Sequence, residues 1–222
     1  MRARKKKNTL PRLEKCADYL AERIVPEAGK SLYIEIGCGK GKFITSLAES
    51  RPDVLFYAIE KVPDVLVMAA EKAKAKGLGN LKFIISDADV LPEICPAGAV
   101  DGIYLNFSDP WPKKKGARKR LTYHTYLEKY RQILSVNGQI LMKTDNRGLF
   151  DFSLAEFSAY GYSLSDVVYD LHNSDVENLF TTEYEDRFTA LGQPIFHCKA
   201  KPVPGYIPSV DPANPESEKN DE

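Results

Sequence analysis

The feature of this sequence that most restricts its fold is an apolar strand that runs directly into a glycine-rich turn and then into a helix. Residues 32–36 read LYIEI, the turn that follows reads GCGKG, and a helical pattern covers Lys42 to Ser50. The next apolar run, VLFYAIE, completes a strand–helix–strand unit. A helical crossover of this kind joins parallel strands, because it returns the chain to the same end of the sheet.

The alternation of strands and helices continues along the rest of the chain. Helical patterns cover Pro63 to Lys76 and Thr122 to Leu134, strand-like runs read LKFIIS, VDGIYLNF and GQILMK, and two final strands are predicted over Tyr162 to Leu171 and Pro194 to Lys201. Such alternation favours helices on both faces of a parallel sheet. We therefore expect an α/β fold with a doubly wound, mostly parallel seven-stranded sheet and ligands at the carboxyl ends of its strands.

The length of 222 residues suits one α/β domain with short appendages. Apolar residues at helical spacing after Pro11 predict a leading helix over residues 11–25. We expect a basic, flexible N-terminus over residues 1–10, a single domain over residues 11–204, and an acidic, disordered tail over residues 205–222.

The composition argues against several classes of protein and site. No apolar run approaches the ~20 residues that cross a bilayer, and the basic start lacks the apolar core of a secretory signal. The four cysteines lie far apart without a CxxC pair, which argues against a zinc site or a disulfide framework. We expect a cytoplasmic protein with reduced thiols, no metal and no membrane partner.

The formal net charge of zero conceals two basic clusters. Residues 1–15 carry seven Lys or Arg against one Glu, and residues 113–120 read KKKGARKR, with six basic residues and no acid. Such a cationic run binds nucleic-acid phosphates through counterion release, although an unbound, solvated surface is the other interpretation.

The glycines of the first turn, Gly37, Gly39 and Gly41, form a GxGxG pattern. Glycine lets the backbone approach a ligand closely, and the following helix offers unpaired N–H groups at its N-terminus. A dinucleotide fingerprint needs its third glycine one residue later, where this chain has Lys42. A nicotinamide cofactor therefore fits less well than another ligand.

Acidic residues mark the ends of the first three strands. Glu35 precedes the glycine turn, Glu60 ends the second strand, and Asp87 follows the third. A carboxylate at the second strand end is placed to accept hydrogen bonds from ribose hydroxyls. Three acids suit a ligand with an ammonium group, a ribose and an adenine, and would repel phosphates. S-adenosylmethionine is such a ligand, although any one of these acids is also explained as a helix cap.

The loop after the fourth strand reads NFSDPWP, and KKKGARKR follows it at once. Pro110 and Pro112 fix φ on both sides of Trp111, so we expect Asp109 and Trp111 to be held rigidly. An aromatic ring in such a loop stacks on nucleic-acid bases. The stretch therefore indicates a rigid acid near the reaction and a cationic segment for a nucleic-acid backbone.

Five motifs together, EIGCGKG, AIE, SDPWPKKK, KTD and TEYE, strongly resemble the bacterial tRNA (guanine-N7-)-methyltransferase family. The most specific is SDPWPK, and the resemblance extends from about Leu32 to Lys199. It implies a Rossmann-like class I S-adenosylmethionine-dependent methyltransferase fold. It also implies methyl transfer to N7 of a guanosine at position 46, in the variable loop of tRNA.

The resemblance carries roles to individual residues. The implied cofactor contacts are the three glycines and four acids: Gly37, Gly39, Gly41, Glu35, Glu60, Asp87 and Asp109, and Asp109 also lies at the reaction centre. The implied substrate contacts are Lys113, Asp145, Thr182, Glu183, Tyr184 and Glu185. The RNA-contacting segment supplies Lys115, Arg118, Lys119 and Arg120. The expected partner is tRNA, and the expected assembly is a monomer or a homodimer.

Methylation of guanine N7 needs little from the protein beyond placement and charge. The N7 atom has an in-plane lone pair and no proton, so positioning and electrostatics suffice without a general base. A carboxylate such as Asp109 favours the purine as it gains positive charge. Asp145 and Glu185 are candidates to accept hydrogen bonds from guanine N1–H and N2–H. The three histidines lie outside every motif and are predicted to be structural.

Three other functions remain open. An amino-group methyltransferase acting on DNA or protein uses a related loop after its fourth strand, although the proline between tryptophan and lysine in DPWPK disfavours it. A non-catalytic RNA-binding module would not need acids at every cofactor position. An NAD-dependent oxidoreductase would be stabilised thermally by NAD rather than by S-adenosylhomocysteine.

Overall fold

Seven strands form one sheet, and each contains one of the apolar runs of the sequence. They are β1 (Leu32–Ile36), β2 (Leu55–Glu60), β3 (Leu81–Ile85), β4 (Val100–Asn106), β5 (Leu134–Thr144), β6 (Tyr162–Val168) and β7 (Phe196–Pro202). The structure is a computed structural model that describes residues 8–206. The predicted basic N-terminus as far as residue 7, and the predicted acidic tail from residue 207, lie outside the described residues.

The strand order across the sheet is β3-β2-β1-β4-β5-β7-β6. The pairs β1–β2, β1–β4, β2–β3 and β4–β5 are parallel, whereas β7 lies antiparallel between β5 and β6. The prediction of a mostly parallel, doubly wound α/β sheet is confirmed. Because the chain leaves β1 towards β2 on one side and resumes at β4 on the other, a crevice opens between the carboxyl ends of β1 and β4.

The helices that connect these strands cover both faces of the sheet. Within residues 8–206 they are α1 (Thr9–Glu14), α2 (Lys42–Ser50), α3 (Pro63–Lys76), α4 (Leu91–Ile94), α5 (His124–Ile133), α6 (Arg147–Ala159) and α7 (Glu183–Thr189). None of them is long and apolar enough to span a bilayer. The predicted bounds of α2 and α3 agree with the structure, and α5 begins two residues later than predicted.

Alternate side chains of β1 to β4 enter two separate apolar cores. Phe56 and Ala58 of β2 pack with α1, α2 and α3, whereas Leu55 and Tyr57 pack on the side of α4, α5 and α6. Burial on both faces explains why the parallel strands read as continuous apolar runs. The sheet is thereby fixed between two helical layers, and its carboxyl edge presents the loops that carry the predicted site.

The prediction of one leading helix over residues 11–25 is wrong beyond its first turn. The helix α1 ends at Glu14, and after a short 3₁₀ turn Leu20 forms a parallel bridge with Phe83 of β3. The Ala21 N–H donates to the Phe83 carbonyl at 2.9 Å. Backbone pairing along the edge of β3 therefore replaces the helix. Leu13 and Ile24 of the segment are buried, whereas Val25 is exposed.

Candidate active site

A cavity of about 540 Å³ opens at the carboxyl ends of β1 to β4. Its wall includes Gly37, Glu60, Asp87, Asn106 and Asp109. These residues follow four different strands, and the parallel pairing of the sheet brings them to one edge. Three of the four acids that were predicted to contact the cofactor thus line one cavity of a size that suits a nucleoside-containing ligand.

The glycine turn has a backbone that only glycine adopts without strain. Gly37, Gly39 and Gly41 have φ of 78°, 55° and 76°, in the left-handed region. A Cβ built on Gly41 would lie 2.5 Å from the Cβ of Ala69 in α3. Gly41 therefore allows the start of α2 to approach α3, while the first two glycines shape the turn beside the cavity.

Glu60 fastens the glycine turn to the end of β2. Its Oε2 accepts a hydrogen bond from the Gly39 N–H at 3.2 Å, and its Oε1 accepts one from the Val62 N–H at 2.9 Å. Each carboxylate oxygen has a second lone pair. The carboxylate of Glu60 can therefore bind a ribose hydroxyl from the cavity and hold the turn at the same time.

Glu35 lies beneath the turn with 2% of its surface exposed. Its Oε1 accepts a hydrogen bond from Asn106 Nδ2 at 2.9 Å, whereas Glu35 Oε2 and Asn106 Oδ1 have no partner among the described residues. Burial raises the pKa of Glu35 to about 7, against the opposing effect of the Asn106 hydrogen bond. Two buried acceptors without donors fit a ligand that brings hydrogen-bond donors or positive charge.

Asp87, the acid that follows β3, lies at one end of the cavity. Asp87 Oδ1 accepts a hydrogen bond from the Asp89 N–H at 3.4 Å, and Lys61 Nζ lies 4.0 Å from Asp87 Oδ2. Tyr126 lines the same end, with its hydroxyl 3.5 Å from Asp89 Oδ2. Exposed carboxylate oxygens next to an aromatic ring suit an adenine amino group and its ring face.

The loop after β4 is strained and braced. Phe107 and Trp111 have positive φ angles, 52° and 40°, which residues other than glycine rarely adopt. Arg120 donates from Nε to the Pro110 carbonyl at 3.0 Å and from Nη2 to the Trp111 carbonyl at 3.1 Å. The exposed side chain of Asp109 is therefore carried between fixed residues at the mouth of the cavity.

The basic segment folds back over this loop as a 3₁₀ helix, Lys114–Lys119. Lys119 Nζ lies 4.6 Å from the centre of the Trp111 ring, and Gly116 is buried against the same tryptophan. Lys115, Arg118 and Lys119 are exposed, as is Lys113, which precedes them. Three of the four residues that were predicted to contact RNA thus form a cationic surface beside the cavity.

Arg120, the fourth residue predicted to contact RNA, has a different environment. Its guanidinium donates to the two loop carbonyls and lies 4.2 Å from the centre of the Phe152 ring. The side chain therefore braces the loop from within. This difference could not be predicted from the sequence, because the arginine belongs to the same basic run as its exposed neighbours.

Five of the residues predicted to bind substrate lie directly after β5 or at the start of α7, whereas Lys113 precedes the basic 3₁₀ helix. The ring centres of Tyr184 and Phe107 lie 5.1 Å apart, and Asp145 follows β5 at the same edge of the sheet. The pKa of Tyr184 is raised by partial burial and by the charge of Asp145, which places the two side chains near each other. Thr182 caps α7 by accepting a hydrogen bond from the Glu185 N–H at 2.9 Å.

Glu183 and Glu185, although both were predicted to bind substrate, occupy opposite environments. Glu183 is exposed and lies 2.6 Å from Lys72 of α3, so it extends towards the glycine side of the site. Glu185 is fully buried and accepts hydrogen bonds from Lys143 and from Asn178. Sequence reasoning missed Lys143 and Asn106, although Lys143 is the first residue of the KTD motif and Asn106 lies two residues before SDPWP.

No histidine is among the described residues that line the cavity. Burial lowers the pKa of His197 to about 4, so this histidine is neutral at physiological pH. Across residues 8–206, no three side chains of the metal-binding types come together. The described lining of the cavity is rich in carboxylates and also contains aromatic rings.

The chain is similar in sequence to known methyltransferases. A family model described as "Putative methyltransferase" matches residues 29–198. The tRNA (guanine-N(7)-)-methyltransferase of Bacillus subtilis (strain 168) is 46% identical over 170 residues, which are 77% of this chain and 80% of that protein. The protein of the same name from Streptococcus agalactiae serotype III (strain NEM316) is 43% identical over 212 residues, 90% of this chain and 100% of that protein.

Solved structures share the fold at low sequence identity. A structure titled "Structure of an Antibiotic Related Methyltransferase" has a TM-score of 0.60 and 19% identity, covering 90% of this chain and 97% of that one. The crystal structure of the 16S rRNA methyltransferase KamB has a TM-score of 0.57 and 16% identity, covering 85% of this chain and 90% of that one. The sheet described above is therefore a methyltransferase fold.

Proposed function

Because this chain belongs to the tRNA (guanine-N(7)-)-methyltransferase family, whose cofactor is S-adenosylmethionine, we propose that it methylates N7 of the guanosine at position 46 in the variable loop of tRNA. The observation that carries the proposal is the rigid, acid-bearing loop after β4, which adjoins both the nucleoside-sized cavity and the exposed basic segment. A methyl donor on one side and an RNA backbone on the other require that arrangement.

The residues of the cavity fit S-adenosylmethionine, which when bound supplies an electrophilic methyl group on a positively charged sulfur. Glu60 would hold the ribose, and Asp87 would accept from the adenine amino group. The buried acceptors of Glu35 and Asn106 would face the methionine end through the glycine turn. Acids at every strand end favour this cationic ligand and repel phosphate-bearing ones.

On the acceptor side, the protein needs to place guanine and to stabilise charge. Guanine N7 uses its own lone pair, so no side chain has to remove a proton from it. The purine becomes positively charged as the methyl group arrives, and the carboxylate of Asp109 lowers the energy of that state from a fixed position. Because the loop is already rigid, little reorganisation is needed during the reaction.

Guanine itself would be recognised beside Phe107. Asp145 lies near Tyr184, whose ring packs against Phe107 and offers a surface for stacking. A carboxylate there can accept from N1–H and N2–H, which adenine does not present together. From the sequence, Glu185 is as good a candidate as Asp145 for this contact with guanine. Glu185 is fully buried, however, so Asp145 is the better candidate.

The decisive experiment is incubation of the purified protein with a tRNA transcript and methyl-labelled S-adenosylmethionine, followed by nucleoside analysis. We expect 7-methylguanosine in the transcript and none in a matched transcript with adenosine at position 46. Label in both transcripts would reject position 46, and label in an exocyclic amino group would reject N7 transfer. The cytoplasm remains the expected location, and the choice between monomer and homodimer remains a prediction.

A further inference from the structure

Lys143, near the carboxyl end of β5, has a buried ammonium group, with 9% of the residue exposed. Its Nζ donates hydrogen bonds to the Phe180 carbonyl at 3.0 Å, to Glu185 Oε2 at 3.3 Å and to Asn178 Oδ1. One lysine on the central sheet thus contacts three points of the chain between residues 178 and 185.

Glu185 is the enclosed partner of this lysine. It has no exposed surface, and its Oε1 accepts from Asn178 Nδ2 at 2.7 Å and lies 3.3 Å from His172 Nε2. Lys143 and Glu185 would each be strongly destabilising as lone buried charges, so each requires the other. The pair therefore pins the first turn of α7 to the sheet.

The residues that α7 presents to the site depend on this anchor. The other ion pairs of the helix, Lys72 with Glu183 and Lys42 with Asp186, have partly exposed side chains, and such pairs contribute little to holding a segment. Tyr184 and Phe107 form a ring contact between this turn and the β4 loop. The buried pair is thus the strongest constraint on where Thr182, Glu183 and Tyr184 lie.

The same lysine also contacts the β4 loop through its backbone. The Phe107 N–H donates to the Lys143 carbonyl at 2.8 Å, and Asn106 lies opposite Lys143 in the register of β4 and β5. Asn106 in turn holds Glu35. Residue 143 therefore fixes the strained loop with its main chain and α7 with its side chain, and these two elements carry the proposed acceptor site.

We propose that Lys143 is a positioning residue that sets α7 against the β4 loop, and that Glu185 acts through Lys143 rather than by contacting guanine. This inference rests on the proposed function for its catalytic readout. It differs from the role that family resemblance gives Glu185, and it assigns a role to Lys143 that the motifs alone did not suggest.

The test is a double-mutant cycle with Lys143→Met, Glu185→Met and the double variant, and with Lys199→Met as the matched control. Lys199 lies on β7 and pairs with Asp166 of β6 at 2.7 Å, and both side chains are partly exposed, so this replacement removes an ion pair that does not join α7 to the sheet. For each protein, kcat and KM for tRNA, calorimetric affinity for S-adenosylhomocysteine and thermal stability are measured.

We expect Lys143→Met to lower kcat/KM for tRNA by at least about tenfold, since small misplacements of reacting groups are costly, while cofactor affinity changes less than about threefold. The double variant should regain thermal stability, because apolar replacement of a buried ion pair is often neutral. Its kcat/KM should equal that of Lys143→Met, because Glu185 then has nothing left to act through. Lys199→Met should behave as wild type.

Three outcomes would overturn the inference. Additive losses in the double variant would mean that Glu185 touches substrate independently, and recovery of activity together with stability would mean that the pair is only structural. Hydrogen exchange of residues 178–189 supplies a readout without tRNA. We expect faster exchange in Lys143→Met, and unchanged exchange would reject the positioning role even if the wild type formed no 7-methylguanosine.

Discussion

At the scale of single residues, the acids of this site differ chiefly in their exposure. Glu35 is enclosed beneath the glycine turn, where burial raises its pKa, whereas Asp109 is exposed on a strained loop. Glu60 accepts hydrogen bonds from two neighbouring backbone N–H groups. Carboxylates that are equivalent in the sequence therefore support different parts of one site.

We predict that Asp109→Asn lowers kcat by roughly 100-fold, the usual size for loss of one electrostatic group at a reaction centre. The amide keeps the shape of the side chain but loses its charge, so affinity for S-adenosylhomocysteine should change little. Single-turnover methylation at saturating tRNA, together with calorimetry, measures both. A near-normal rate would make Asp109 a structural loop residue.

We predict that Glu35 makes the protein less stable as the pH rises from about 5 to about 8. The pKa of Glu35 is about 7 in the folded state, against an ordinary value of 4.5, so the folded protein retains a proton that the unfolded chain loses. Its stabilising contribution is complete below the unfolded pKa and is lost as the pH rises through the folded one, by about 3 kcal/mol.

The measurement for Glu35 is urea unfolding of the wild type and of Glu35→Gln across this pH range. The amide imitates the protonated acid, so its free energy of unfolding should lack this pH dependence. The variant should therefore gain stability relative to the wild type as the pH rises. Parallel curves would show that Glu35 has the same pKa in the folded and the unfolded state.

At the scale of elements, the glycine turn joins two constraints that act on the start of α2. Gly41 caps this helix with a left-handed backbone, and the helix packs so closely on α3 that Ala69 occupies the space of a side chain at residue 41. The turn is therefore fixed by helix packing as well as by the hydrogen bonds beneath it. The shape of the cavity depends on both.

We predict that Gly41→Ala destabilises the protein by about 2 to 4 kcal/mol, from positive φ and from overpacking against Ala69. The matched control is Gly77→Ala at the end of α3, where φ is 64° but no atom lies within 4 Å of the added Cβ. The control should lose only about 1 kcal/mol. Equal losses in thermal or urea unfolding would mean that the contact with α3 relaxes freely.

Across the whole molecule, positive and negative side chains are concentrated in different places, although their totals balance. The net charge is zero, yet Lys115, Arg118 and Lys119 share one exposed surface beside the cavity. Acids occupy the adjoining strand ends. We expect a cationic cofactor and an anionic RNA to be attracted to neighbouring regions of one edge of the sheet.

We predict that replacing Lys115, Arg118 and Lys119 together with Ala weakens tRNA binding and makes log affinity less steep against log salt. The slope should change by about 0.7 to 0.9 for each lost phosphate contact. Arg120→Ala is the contrasting variant, because it removes a brace of the loop and should lower kcat without changing the slope. An unchanged slope in the triple variant would identify a solvated surface that never meets RNA.

Local sequence patterns were enough to predict the α/β class, the bounds of α2 and α3, the glycine turn and the acids at the strand ends. Each of these depends on local periodicity or on a residue type at the end of a strand, and parallel pairing then brings the strand ends together. The specific motifs were sufficient to identify the family, because they preserve chemistry that the fold itself does not dictate.

The tertiary structure, and not the local sequence, shows which charged side chains face the site and which are buried. Lys143 and Glu185 lie 42 residues apart and meet because α7 returns over the sheet, and Arg120 turns inward although its basic neighbours do not. The leading segment pairs with β3 instead of completing a helix. Local sequence patterns do not encode these outcomes, because burial and pairing depend on which distant surfaces come into contact when the chain folds.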